Sequence, residues 1–168
     1  MSRLPSSQLA YVGLGSNLED PVRQVQRGFE ELARLTGTRL LKQSSFYRTA
    51  PVGKADQPDF VNAVALLQTT LAPADLLGHL LAIEARHGRV RAERNGPRTL
   101  DLDLLLFGDQ IVRATGLEIP HPRMHERAFV LLPLAEVSPD AVIPGHGRVI
   151  ELLASVADQR VTRIDGKI

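Results

Sequence analysis

Hydrophobic and polar positions in this chain alternate between two periods, one of two residues and one of three to four, and the switches mark its elements. LAYVGLG (9–15) reads as a first strand ending in a glycine-rich turn at Gly13–Gly15. Asp20-Pro21 has the form of an N-cap followed by proline at the first helical position, and Val22, Val25, Phe29, Leu32 and Leu35 recur at helical spacing up to Gly37. TRLLKQSSFYRTA (38–50) is rich in strand formers, PVGKADQP (51–58) has loop composition, and DFVNAVALLQT (59–69) reads as another strand, which predicts a hairpin with a long loop. Pro73 opens a second helix. Its apolar stripe of Leu76, Leu77, Leu80, Leu81 and Ile83 leads to a stop at Gly88 and carries Glu84 on the inner side. A loop over 88–98 and a strand over 99–107 follow, then short extended pieces near 110–119 and the turn IPHP. A helix is predicted in 125–136, kinked or shortened by Pro133. Val149 to Ala157 reads as a small helix and RVTRI as a short strand.

The order strand, helix, strand, strand, helix, strand is the split βαβ pattern. It predicts an α+β fold with a ferredoxin-like βαββαβ core, an antiparallel sheet with helices on one face. The C-terminal third adds helices to the other face, a three-layer α/β/α arrangement. No repeat, low-complexity tract or linker interrupts the pattern, so residues 1–168 are expected to form a single domain.

The strand GPRTLDLDLLLFGD (96–109) raises the first chemical question. Alternation sends Leu100, Leu102 and Leu104 to one face and Asp101 and Asp103 to the other, so two carboxylates on the order of 7 Å apart share a face beside a core. Like charges there cost several kcal/mol unless something positive compensates them, roughly the scale of a buried unpaired ion. A hard cation such as magnesium, which takes one or two carboxylates plus phosphates and water, would meet that need. An exposed strand face, or ion pairs with nearby arginines, would meet it too.

Composition narrows the choice. With 43% hydrophobic and 23% charged residues and no apolar run of membrane-spanning length, the chain has the make-up of a soluble protein. It has no cysteine and no apolar signal core at its N-terminus, so thiol chemistry and thiolate metal sites are excluded and a cytoplasmic location is expected. A net charge of +1 argues against an extended polyanion as partner. Yet 17 of the 20 basic residues are arginine, and Arg86, Arg89, Arg91, Arg94 and Arg98 crowd into thirteen positions. Such forks bind phosphate oxygens bidentately, although a solvated basic loop has the same composition. The dinucleotide fingerprint and the P-loop are both missing, since position 18 is Leu and no GxxxxGK[ST] occurs. Any nucleotide is therefore held by other means. His121, between Pro120 and Pro122, is a candidate for a fixed contact or a surface turn. Phe60 and Asn62 share a strand face, a ring beside an amide that can donate and accept, which suits a flat heterocycle. Core packing is the ordinary alternative for the phenylalanine.

Taken together, YVGLGSNLEDP, SSFYRTAPVG, DQPDFVNAV, GRVRAERNGPRTLDLDLLLFGD, IPHPRMHERAFVLLPLAEV and the proline near 144 resemble, in order, the 6-hydroxymethyl-7,8-dihydropterin pyrophosphokinase family. The resemblance covers roughly 9–145 and implies magnesium-dependent transfer of pyrophosphate from ATP to a pterin alcohol, with AMP leaving, in folate biosynthesis. It implies that Asp101 and Asp103 hold two magnesium ions bridging the ATP phosphates, one of them also touching the substrate hydroxyl. Arg89 and Arg98 join these aspartates at the reacting centre, and Glu84, Arg91, Arg94, Arg98, His121 and Arg127 contact ATP. The pterin slot maps onto Phe60 and Phe129 stacking on the two ring faces, Asn62 on the pterin edge, and backbone groups around Thr49, Pro51 and Val52. Segment 88–98 is expected to close over the site and exclude water. The implied partners are small molecules, with no nucleic acid, no membrane and a monomeric chain. Asn95 stands where relatives carry an aromatic residue, and Pro122 where an aromatic can occur. The rival readings are a ferredoxin-like RNA-binding module and a metal-dependent phosphoesterase.

Overall fold

The computed structural model describes residues 6–18, 20–50, 58–88 and 99–164. Its central sheet is built from β1 (Gln8–Ser16), β2 (Thr38–Gln43), β3 (Tyr47–Thr49), β4 (Phe60–Thr69), β5 (Asp101–Phe107) and β10 (Val161–Arg163). From one edge the order is β10, β3, β4, β1, β5, with β2 also paired to β4, and every pairing is antiparallel. Two small hairpins lie outside it, β6 (Val112–Ala114) with β7 (Leu117–Ile119) and β8 (Val142–Ile143) with β9 (Gly147–Arg148).

Strand alternation gives the sheet two buried faces. Helices α1 (Pro21–Ala33) and α2 (Pro73–Arg86) cover one, where Val25, Phe29, Leu32, Leu76, Leu80 and Ile83 pack on Ala10, Val12, Leu14, Ala63, Ala65 and Leu67. Helices α3 (Ala128–Val137) and α4 (Val149–Leu152) cover the other, where Leu131, Leu134, Val137 and Val149 meet Tyr11, Val64, Leu66 and Leu105. The mixed α+β architecture expected from the pattern is thus present. Phe29 and Leu80 are essentially inaccessible, and each such burial is worth about 1.5–3 kcal/mol. In β5, Leu102 and Leu104 face the first core as the alternation requires. A bulge opposite Tyr11 and Val12 then resets the phase, so Leu105 and Leu106 both reach the second core. Among the described residues no helix is long and apolar enough to cross a membrane.

The structure differs from the sequence pattern at five places. Gly13–Gly15 is no turn but the last part of β1, which continues to Ser16. Asp20 precedes α1 with a left-handed backbone (φ 62°) and no capping bond from its side chain, and the helix ends at Ala33, short of Gly37. Leu81, assigned to the inner stripe of α2, is 44% exposed. The single strand expected over 38–50 is two strands. The break at Ser44–Phe46 arises because the Ser44 hydroxyl accepts the Val64 N–H at 2.9 Å, taking a ladder bond away from the backbone, while Ser45 turns toward α3. The helix expected over 125–136 opens instead as a 3-10 turn (Met124–Glu126), and α3 starts only after an extended Arg127. α3 then runs past Pro133 to Val137.

One carboxylate ties the break in the sheet to α3. Glu136 accepts the Ser45 N–H (3.0 Å), the Ser45 hydroxyl (2.8 Å) and the Tyr47 hydroxyl (2.7 Å). Burial alone would raise its pKa, but the bonds from Tyr47 and Ser45 outweigh burial and hold it below the ordinary 4.5. Burial, with Glu136 beside it, raises the Tyr47 phenol. A carboxylate whose folded pKa is depressed contributes stability above its unfolded pKa and loses it as pH falls through the folded value. Glu136→Gln should therefore cost about 1 kcal/mol at pH 7. In urea unfolding the gap between variant and wild type should shrink as pH falls below 4.5. A gap independent of pH from 7 to about 3 would contradict this role.

Candidate active site

Register across the sheet sets the floor of the site. Asp101 pairs with Gly15, Gly15 with Asn62, and Asn62 with Tyr47, forming one transverse row on the face that carries α3. The next row runs Asp103, Gly13, Val64. Between the carboxylates and the amide the sheet therefore carries only glycine, a bare floor that holds Asp101 and Asn62 about 10 Å apart, two strand spacings. A Cβ at 15 would come to 3.0 Å from Asn62 Oδ1, close enough that the amide would have to give way by a few tenths of an ångström.

Walls rise around this floor to enclose a cleft of about 460 Å³. Thr49, Phe60, Asn62, Asp101, Asp103, Arg127 and Phe129, all singled out from the sequence, line it together. At one end Asn62, 7% exposed, donates from Nδ2 to Thr49 Oγ1 at 3.0 Å, which fixes the plane of its amide. Thr49 is paired with Phe60 across the strands, and Phe129 enters from the first turn of α3. Two rings and an oriented amide in a cleft of this size suit a planar heterocycle.

The other end is ionic. Asp101 and Asp103 are half-buried, with Arg127 and Arg123 among the lining residues. Burial lowers the Arg127 guanidinium pKa from its usual value, with Asp103 opposing and Asp101 also felt. The guanidinium remains charged, and it lies over the Phe129 ring at 5.5 Å. It thereby joins the two ends of the cleft. Two carboxylates on one strand face supply hard oxygen donors, and among the described residues no cluster of three or more metal-ligating side chains forms a closed cage. This donor set fits a magnesium-like cation whose remaining ligands are phosphate oxygens and water.

His121 stands beside the ionic end, its backbone N–H bonded to the Leu105 carbonyl at 2.9 Å. Burial first and the Arg127 charge second lower its pKa to about 4, with Asp101 opposing. The ring is thus neutral at pH 7. Its Nδ1 accepts the Arg123 N–H at 3.2 Å, so the ring proton sits on Nε2 as a donor. Nitrogen NMR of the metal-free protein should show this one neutral tautomer at pH 6, with stability lost as pH falls from 6.5 toward about 4. A His121 titration centred near 6.5 would contradict the arrangement.

Glu84 is not in the cleft. At 2% exposure it accepts the Leu102 N–H at 2.7 Å, so α2 grips the strand between its two aspartates. Arg89, Arg91, Arg94 and Arg98, with Asn95 and the rest of 89–98, lie outside the described residues, as do Pro51 and Val52. The structure adds to the lining Gly13 and Gly15, and Arg123, Glu126 and Gln159, which no motif picks out as site residues. Arg123 and Glu126 belong to the PHPRMHERAF stretch, and the two glycines carry the residue signature of a turn. Gln159 gave no signal in the sequence.

Residues 11–139 match the model of the 7,8-dihydro-6-hydroxymethylpterin-pyrophosphokinase family. A 2-amino-4-hydroxy-6-hydroxymethyldihydropteridine pyrophosphokinase of Pseudomonas aeruginosa is 50% identical over 159 residues, covering 95% of this chain and 98% of that protein. The protein of the same description from Haemophilus influenzae is 46% identical over 93% of this chain and 98% of its own. Among solved structures, Plasmodium falciparum HPPK-DHPS with pteroate superposes at a TM-score of 0.72 over 94% of this chain, at 14% identity, a likeness of fold. This chain spans 44% of that longer one.

Proposed function

We propose, on the premise that this chain belongs to the 7,8-dihydro-6-hydroxymethylpterin-pyrophosphokinase family, that its cleft moves the pyrophosphate of ATP onto 6-hydroxymethyl-7,8-dihydropterin with release of AMP. The chain is an ATP-dependent pyrophosphokinase, and its place is in folate biosynthesis. The strand order in the sheet, with α1 and α2 on one face, supports reading the core as ferredoxin-like. What carries the reading is the bare glycine floor between an oriented amide and a carboxylate pair. A pterin edge-on to Asn62 and between Phe60 and Phe129 would send its hydroxymethyl group along that floor toward Asp101 and Asp103.

The transfer forms one O–P bond, from the pterin hydroxyl to the β-phosphorus, and breaks the bond from that phosphorus to the oxygen leaving with AMP. The hydroxyl proton goes to solvent or phosphate. Such reactions depend on alignment and charge neutralisation more than on a strong base. Asp101 and Asp103 would hold two magnesium ions, which when bound supply neutralisation of the phosphate charge. Arg127, in the cleft lining beside the carboxylates, would take a phosphate oxygen, and neutral His121 would donate from Nε2 without adding charge. Arg89, Arg91, Arg94 and Arg98 would add further forks, and closure of 88–98 would keep water from the β-phosphorus. Glu84 is proposed to serve ATP through the strand it holds.

Incubation with ATP, magnesium and the pterin, followed by separation of the nucleotides, tests this. AMP should form only when all three are present. ADP would mean ordinary phosphoryl transfer, and AMP without pterin would mean hydrolysis.

A further inference from the structure

We propose that Gln159 is the positioning residue for Arg127, an inference that rests on the assignment of Arg127 to ATP. Arg127 is the residue before α3, with φ −121° and ψ 112°, wedged between the 3-10 turn and the helix. That position ordinarily belongs to Ser, Thr, Asp or Asn, whose side-chain oxygen accepts one of the helix's unpaired N–H groups. A guanidinium has only donors, so an arginine there leaves the helix start without a local cap. α3 indeed has no capping bond from its own N-cap side chain.

Gln159 supplies what Arg127 lacks, from 32 positions along the chain (159 minus 127). Its Oε1 accepts the Ala128 N–H at 2.9 Å, and its Nε2 donates to the Glu126 carbonyl at 2.7 Å. One amide thus clasps the peptide groups on both sides of residue 127 and holds its backbone extended, the conformation that sends the guanidinium into the cleft. Gln159 is itself anchored. Its N–H bonds the Val156 carbonyl at 3.0 Å, and β10, two residues later, pairs Val161 with Thr49 of the heterocycle end. Residue 159 lines the cleft yet lies beyond the 11–139 segment that matches the family model.

The test is a double-mutant cycle in the full chain. Gln159→Met, which keeps volume but neither hydrogen bond, is made in the wild type and in Arg127→Ala. The dissociation constant of magnesium–ATP is measured by calorimetry without pterin, alongside thermal unfolding. In the wild-type background the constant should rise about tenfold, the size of one to two net hydrogen bonds. In Arg127→Ala the effect of Gln159→Met should collapse to below about twofold, because the residue through which it acts is gone. An equal rise in both backgrounds, with matching losses of melting temperature, would mean a merely structural role and overturn the proposal, as would an unchanged constant. Because no turnover enters the readout, a wild type that binds ATP yet makes no pterin product would sink the functional reading while leaving this one standing.

Discussion

Asp103→Ala and Asp101→Ala should each lower turnover by about a thousandfold or more, the range seen when a preorganised group facing developing charge is removed. In the adjoining strand the two side chains face only Gly13 and Gly15, so that strand offers no oxygen donor in their place. Neither substitution should unfold the chain. Both aspartates are half-buried on one face, and losing either relieves their mutual repulsion but gives up its attraction to Arg127, so melting temperature should change little. Activity lost with stability kept is the signature of a site that trades stability for function. Near-normal turnover in either variant would remove the carboxylate pair from the mechanism.

Asn62→Leu should lower kcat/KM for the pterin about a hundredfold, since a site built around hydrogen bonds discriminates steeply when one side loses them. The ATP constant should stay within about twofold, because Asn62 lies two strands, about 10 Å, from Asp101. The loss follows from geometry as much as from chemistry. Asn62 is buried, its Nδ2 is committed to Thr49, and its Oδ1 lies against the position where Gly15 lacks a Cβ. Steady-state kinetics with each substrate varied would check the split. An equal effect on both substrates would mean that Asn62 supports the fold rather than reads the ring.

Much of this was legible in the sequence because local periodicity decides it. The alternation in DLDLLLF put both carboxylates on one face, and spacing from Pro21 and Pro73 marked α1 and α2. The interruptions were not legible, since each depends on a partner far along the chain. Ser44 leaves its strand because Val64 offers an N–H, and Arg127 stays extended because Gln159 holds its neighbours. Gly13 and Gly15 carried the turn signature common to glycine pairs, and only the register with Asp103, Asp101 and Asn62 reveals them as a floor. Of the site itself, residue types gave the two ends of the cleft. Their common cleft was a fact of topology.

Phosphorus NMR of the reaction mixture tests the central claim most directly, because it follows the transferred group rather than the nucleotide left behind. With ATP, magnesium and 6-hydroxymethyl-7,8-dihydropterin, two coupled phosphorus signals of a pterin-linked diphosphate should grow in step with AMP. A single phosphate monoester on the pterin growing with ADP, or free pyrophosphate without any pterin adduct, would contradict it.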